Sequence, residues 1–197
     1  MDRVTAIGVA AAGEAEAEVG VAGDGVVEAE EDFPAVEEEV AEAAQVVDGN
    51  SAKPNMNEFL TEKEEQALVR EIRAVEARSS AELRVVITTK LVFRPMRYAW
   101  KLFDRLGMHR TNDRNGALIL VIPMGHRFAV IGDGAWAEVV GPAYWEELSN
   151  AMSRHLRAGR RYEALAYGIR SLGATMAGAW PATGENPNEL PNEIVYE

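Results

Sequence analysis

The chain reads as an α/β domain, and three observations carry that reading. Two apolar, β-branched runs, residues 82–89 (ELRVVITT) and 117–123 (ALILVIP), are too short for helices and suit buried strands. A three-residue polar turn, Met124-Gly125-His126, joins the second run to a third that ends on Gly132-Asp133-Gly134, so these two form a hairpin. Around the strands lie longer segments with apolar residues every three or four positions, the signature of amphipathic helices.

Each element has a local cause. Thr61-Glu62-Lys63-Glu64 is a capping box, and Leu68, Ile72 and Val75 then form one apolar face of a helix ending near Arg78, where Ser79-Ser80 favour side-chain bonding over continuation. The strand over 82–89 follows. Pro95 suits the first position of a second helix, with Met96, Trp100, Phe103 and Leu106 inward and Gly107 at its C-terminal cap. The strand-helix-strand order predicts that the first two strands are parallel, and the hairpin adds an antiparallel third. One more helix opens near Pro142 and runs to Arg157 before Gly159, and another spans 162–179 before Pro181. Tyr144, Leu148, Met152 and Leu156 supply the inner face of the former; Leu165, Ile169 and Leu172 supply that of the latter.

With 197 residues and 47% hydrophobic content, one domain of ordinary size is expected, with chain to spare. The spare chain lies mainly at the N-terminus. Residues 1–52 carry 14 acidic side chains against the single base Arg3, whereas the remaining 145 carry 18 acids and 19 bases. Residues 1–54 are Ala, Glu, Val and Gly with a lone Phe33-Pro34, a low-complexity composition that predicts a disordered arm. The domain proper is expected over 55–182, and 183–197, rich in Pro, Asn and Glu, as an extended tail. A near-neutral domain with no obvious basic face argues against a nucleic-acid partner. No cysteine is present, which excludes disulfides, zinc-thiolate sites and a thiol nucleophile. The N-terminus lacks the basic cluster and apolar stretch of a signal peptide, and no membrane span is present, so the chain reads as cytoplasmic.

Topology says where chemistry gathers. If the first two strands are parallel and the third antiparallel, one edge of the sheet holds Glu82, Asp113 with Asn115, and Asp133, with Glu138 one turn beyond. Convergent oxygens of this kind suit a hard divalent cation, which relieves the repulsion among like charges. The two glycines flanking Asp133 are expected to free the backbone to bend and present its carboxylate. The plain alternative is a turn, with these acids paired to Arg84, Arg110 or Arg114. His109, His126 and His155 lack the spacing of a ligand pair or acid-base couple, and no nucleophile elbow or phosphate-binding glycine loop occurs. Arg157, Arg160 and Arg161 with His155 read as a basic helix end or an anion site. Trp136, Tyr144, Trp145 and Trp180 read as core and rim, with a ligand groove as the alternative.

The order of capped helix, ELRVVI, FDRLGMHRTNDRNGALILVIP, FAVIGDG, GRRYEALAYGI and a closing NELPNEIV resembles the TPM domain family, in particular its small soluble bacterial branch. The F-x-x-L-G-M-x-x-T-x-x-R-N-G block from Phe103 to Gly116 is its most specific part. The resemblance implies a three-layer α/β sandwich, a small mixed sheet with helices on both faces, and divalent cations, calcium above all and magnesium second, held in acidic loops at one end. Thylakoid members of the family are tied to photosystem repair and resemble acid phosphatases. Carried over by position, Glu82 matches the acid opening the first strand, Asp133 the acid after the third, and Asn115-Gly116 the strand-opening pair. Here G-D-G-A-W stands for the commoner G-Y-G-L-E, so Glu138 falls later than the family acid. The metal set expected is therefore Glu82, Asp113, Asp133 and Glu138. Three functions follow from it: a calcium-binding module acting through a protein partner, a slow metal-dependent phosphatase, and a metal-independent interaction scaffold.

Overall fold

Thr61 caps the first helix, α1 (Glu62–Glu76), with both halves of the expected box: its hydroxyl accepts from the Glu64 amide, and the Glu64 carboxylate accepts from the Thr61 amide. The computed structural model describes residues 59–111, 113–182 and 193–197; the expected arm over 1–54 lies outside them, as does 183–192 of the expected tail. After α1 come β1 (Leu83–Ile87), α2 (Pro95–Arg105), β2 (Ala117–Ile122), β3 (Arg127–Gly132), a short α3 (Trp136–Val139), α4 (Pro142–Arg157), α5 (Arg161–Ala179) and β4 (Val195–Tyr196).

The sheet order is β3-β2-β1-β4. β1 runs parallel to β2, and β3 antiparallel to β2, as the order of elements predicts. What the sequence reading takes as plain tail ends instead in a strand, parallel to β1 through Val86↔Val195 and Ile87↔Tyr196. It escapes pattern reading because two residues cannot show a period; the free edge of β1 recruits them.

Alternation along the strands sorts the core into two layers. Leu83, Val85, Ile87, Ala117, Ile119, Val121, Phe128 and Val130 pack with the buried sides of α1, α4 and α5. Val86, Leu118, Leu120, Ile122, Ala129 and Ile131 pack with α2 on the opposite face. Every residue of β1 and β2 is buried, as covering on both faces requires. The result is an α/β sandwich of three layers.

Two expectations shift in detail. On α2 the buried set is Pro95, Met96, Ala99, Leu102 and Phe103, with Trp100 and Leu106 only partly covered, because the helix turns the side carrying Ala99 and Leu102 towards the sheet. On α4, Trp145 is buried and Tyr144 only partly so. Gly107 and Gly159 stand at φ 74° and 70°, the left-handed conformation that ends a helix at glycine.

Helical periodicity also concentrates charge that looks balanced along the chain. Arg94 at the head of α2 and Arg97, Lys101 and Arg105 along it fall on the exposed face of that helix, at the three- and four-residue steps that share a side. Across residues 90–110 there are six Lys or Arg against Asp104 alone. The expectation of a domain without a basic face is thus corrected: near-neutrality is an average over two unlike sides.

Candidate functional site at one end of the sheet

The strand register brings the predicted positions to one edge. The Ala117 amide donates to the Glu82 carbonyl at 2.8 Å, and the Asp133 amide donates to the Gly116 carbonyl at 2.9 Å, so the start of β1, the start of β2 and the exit of β3 lie side by side. The approach to β1 is pinned from behind. Ser79 Oγ donates to the carbonyls of Met176 and Trp180 and accepts from the Ala81 amide, which ties this link to the end of α5.

Two clusters form there. In one, Ser80 Oγ donates to Asp113 Oδ2 at 3.1 Å and accepts from Asn115 Nδ2 at 3.3 Å. Asp113 is exposed, whereas Asn115 is fully buried, and its Oδ1 accepts no hydrogen bond among the described residues. In the other, Arg114 grips Asp133 with both arms of its fork, Nε to Oδ2 at 2.6 Å and Nη2 to Oδ1 at 2.8 Å, while the Gly134 amide adds a bond to Oδ1. Asp133 is nearly buried and Arg114 half exposed, their side chains showing 4% and 52% of their surface. The bond to Asp133 holds the Arg114 guanidinium above its ordinary range. Arg114 adopts φ 51°, a left-handed conformation uncommon outside glycine and worth about 1 kcal/mol of strain.

Glu82 faces elsewhere. It is buried, and its charge, with those of Glu76 and Glu193, acts on the buried Arg84, whose guanidinium is nonetheless pulled below its ordinary range because burial outweighs them. Glu76 Oε1 also accepts from the Leu83 amide at 3.0 Å. Glu138 stands exposed on α3, its carboxylate making no hydrogen bond or ion pair to the described residues. Of the four acids expected to converge, Asp113 and Asp133 flank Arg114 and Asn115, Glu82 serves Arg84, and Glu138 faces solvent. No group of three or more His, Cys, Asp or Glu side chains is placed to hold a metal ion among the described residues.

Ser80, Glu76 and Glu193 escape sequence reading. Glu76 has a faint signal, since it follows Ile72 by four residues on the buried side of α1. Ser80 and Glu193 have none, being distant in sequence from the groups they meet.

The Gly-Asp-Gly turn works differently from expectation. Neither glycine has a positive φ. A Cβ on Gly132 would lie 2.6 and 2.7 Å from Trp136 Cγ and Cδ1 and 2.9 Å from Trp145 Cη2, so this glycine makes room for indoles. At Gly134 a Cβ would meet nothing within 4 Å. Trp136 is fully buried, donates from Nε1 to the Asn115 carbonyl at 2.8 Å, and packs on Trp145 and Trp180 at ring distances of 5.4 and 5.2 Å. Trp136 and Trp145 are core, with Tyr144 and Trp180 partly buried at its rim, and together they brace the Asn115 corner.

A three-layer α/β domain with charged loops gathered at one sheet end is the class these features define. The chain belongs to the TPM domain family, whose model matches residues 55–175. Among solved structures, the BA42 protein from the psychrophilic bacterium Bizionia argentinensis sp. nov. is similar at 31% identity and a TM-score of 0.66, over 73% of this chain and 99% of that one. No curated protein matches the sequence. No described helix is long and apolar enough to cross a membrane.

Proposed function

We propose that the edge formed by Asp113, Asn115 and Asp133 binds a divalent cation, calcium in preference to magnesium, and that the domain acts as a binding module through its partners. The observation that carries this reading is Asn115 Oδ1, a fully buried amide oxygen with no hydrogen bond among the described residues, two positions after Asp113 and next to Gly116, whose carbonyl accepts from the Asp133 amide. Buried acceptors are normally satisfied, and an amide carbonyl beside carboxylates is the mixed oxygen set calcium takes. The fit requires one change: Arg114 occupies both oxygens of Asp133, so a divalent ion enters by exchange, the half-exposed guanidinium swinging into solvent. In this reading Glu82 stays with Arg84 and Glu138 with solvent.

The test is a calcium titration of the full chain followed by amide NMR. Shifts are expected at Asp113, Arg114, Asn115, Asp133 and Gly134, with a weaker response to magnesium and none in Asp133→Asn. Bound calcium should stabilise the fold by about 2.7 kcal/mol at a hundredfold excess over its dissociation constant. An unmoved spectrum at saturating calcium, with an unmoved melting point, rejects the site and favours the metal-independent scaffold.

Metal-assisted phosphomonoester hydrolysis is the second reading, favoured by a guanidinium and a backbone amide side by side, both of which suit a phosphoryl oxygen. Neither group is a nucleophile, which supports binding over turnover. Hydrolysis of a chromogenic phosphate ester that disappears in Asp133→Asn would reverse that order.

A further inference from the structure

The opposite end of the sheet carries a surface that the cation reading does not use. Leu91 and Phe93 in the β1–α2 loop and Met124 in the β2–β3 turn expose 54, 71 and 69% of their area. The loop and turn are joined: the Leu91 side chain lies against Gly125, and Arg127 Nη1 donates to the Phe93 carbonyl at 2.9 Å. Beside this apolar corner runs the basic face of α2, with Arg94, Arg97 and Lys101 exposed. Apolar side chains rimmed by one sign of charge mark a docking surface for an acidic, partly apolar segment.

The chain supplies such a segment. Residues 28–33 read EAEEDF, and Glu37, Glu38 and Glu39 follow Pro34. The arm enters the domain at the right end, because Glu65, in the first turn of α1, accepts from the Tyr196 hydroxyl at 2.9 Å, and Tyr196 pairs with Ile87 at the end of β1, just before Lys90 and Leu91. Phe33 and Phe59 are 26 positions apart, a reach of up to about 90 Å, against a radius of gyration of about 14 Å for a domain of this size.

We propose that the acidic N-terminal arm docks on this surface within the same chain, Phe33 against Leu91, Phe93 and Met124, with Glu30, Glu31 and Asp32 towards Arg94, Arg97 and Lys101. Tethering raises the effective concentration to roughly the millimolar range, so individually weak contacts suffice. Docking neutralises the basic face and covers the exposed apolar corner, and competing polyanions or salt release it.

The chain has no cysteine, so Ala35→Cys places a single nitroxide label on it. Amide signals of Leu91, Phe93, Arg97 and Met124 are expected to lose most of their intensity by paramagnetic broadening. They recover in about 1 M salt, where the Debye length falls to about 3 Å, and in the labelled Arg97→Glu/Lys101→Glu variant, whose unchanged core resonances report an intact fold. Without those two charge reversals, absence of broadening at Leu91, Phe93, Arg97 and Met124 at low salt overturns the proposal, as does broadening centred on the Asp133 end. Broadening found only between labelled and isotope-enriched separate copies overturns it in favour of self-association. No broadening, together with sedimentation of the chain on phosphatidylglycerol vesicles, overturns it in favour of a membrane.

Discussion

Adding one methyl group to each glycine of the Gly132-Asp133-Gly134 turn should give opposite results. At Gly132 the new Cβ falls within 3 Å of three indole carbons, two on Trp136 and one on Trp145. Overpacking of this kind costs about 1–3 kcal/mol. Trp136 cannot retreat freely, since its Nε1 is bonded to the Asn115 carbonyl at 2.8 Å, and losing that bond adds about 1 kcal/mol. Restricting the unfolded chain returns about 0.4–1 kcal/mol, so Gly132→Ala should destabilise by about 1–3 kcal/mol. Gly134→Ala meets no neighbour within 4 Å and no positive φ, and should be neutral or stabilising by up to about 1 kcal/mol from the same unfolded-state effect. Urea denaturation followed by far-UV circular dichroism, which does not depend on the indoles being displaced, measures both. A Gly132→Ala protein with an unchanged midpoint would refute the claim that this glycine exists to admit Trp136. Equal losses in the two variants would instead restore the conformational explanation.

Three further outcomes follow from the charged groups. Arg114→Gln should act with opposite sign in two conditions: without calcium the nearly buried Asp133 loses its partner and the fold weakens by about 1 kcal/mol, while with the competing guanidinium gone calcium binds about 2- to 10-fold tighter by calorimetry. Arg84→Met leaves Glu76 and Glu82 buried without their cation and should cost about 3–5 kcal/mol in denaturant midpoint analysis, more than any exposed arginine on α2. Glu197 is held down to about 2 from 4.5, first by its bond to Arg105 and then by Lys90 and Tyr98. A carboxyl depressed on folding stabilises fully above its unfolded value and loses that contribution as pH falls through the folded one. The β4 docking should therefore weaken between about pH 4.5 and 2, seen as lower protection against amide exchange, relative to the free-chain rate at each pH, at Glu197, whose amide bonds to the Ile87 carbonyl, and at Thr89, whose amide bonds to the Glu197 carbonyl.

Features that are local or periodic are legible in the residues alone. The Thr61–Glu64 box, Pro95 at the head of α2, Gly107 and Gly159 after their helices, and the hairpin around Met124-Gly125-His126 are each set by neighbours within a few residues, so they are legible in one dimension. The parallel pairing of β1 with β2 follows almost as directly, because a helix between two buried strands leaves few ways to return. From that topology even the meeting of Glu82, Asn115 and Asp133 at one edge could be read. What each carboxylate faces there is set by long-range packing. A strand end fixes where a backbone lies, whereas the partner of a charged side chain depends on groups brought from far along the chain: Arg114 turned onto Asp133 by a left-handed φ, Arg84 drawn among Glu76, Glu82 and Glu193, and Ser80 set beside Asp113. The same holds for Gly132, whose lack of a side chain looks like a licence to bend and is in fact room for two tryptophans.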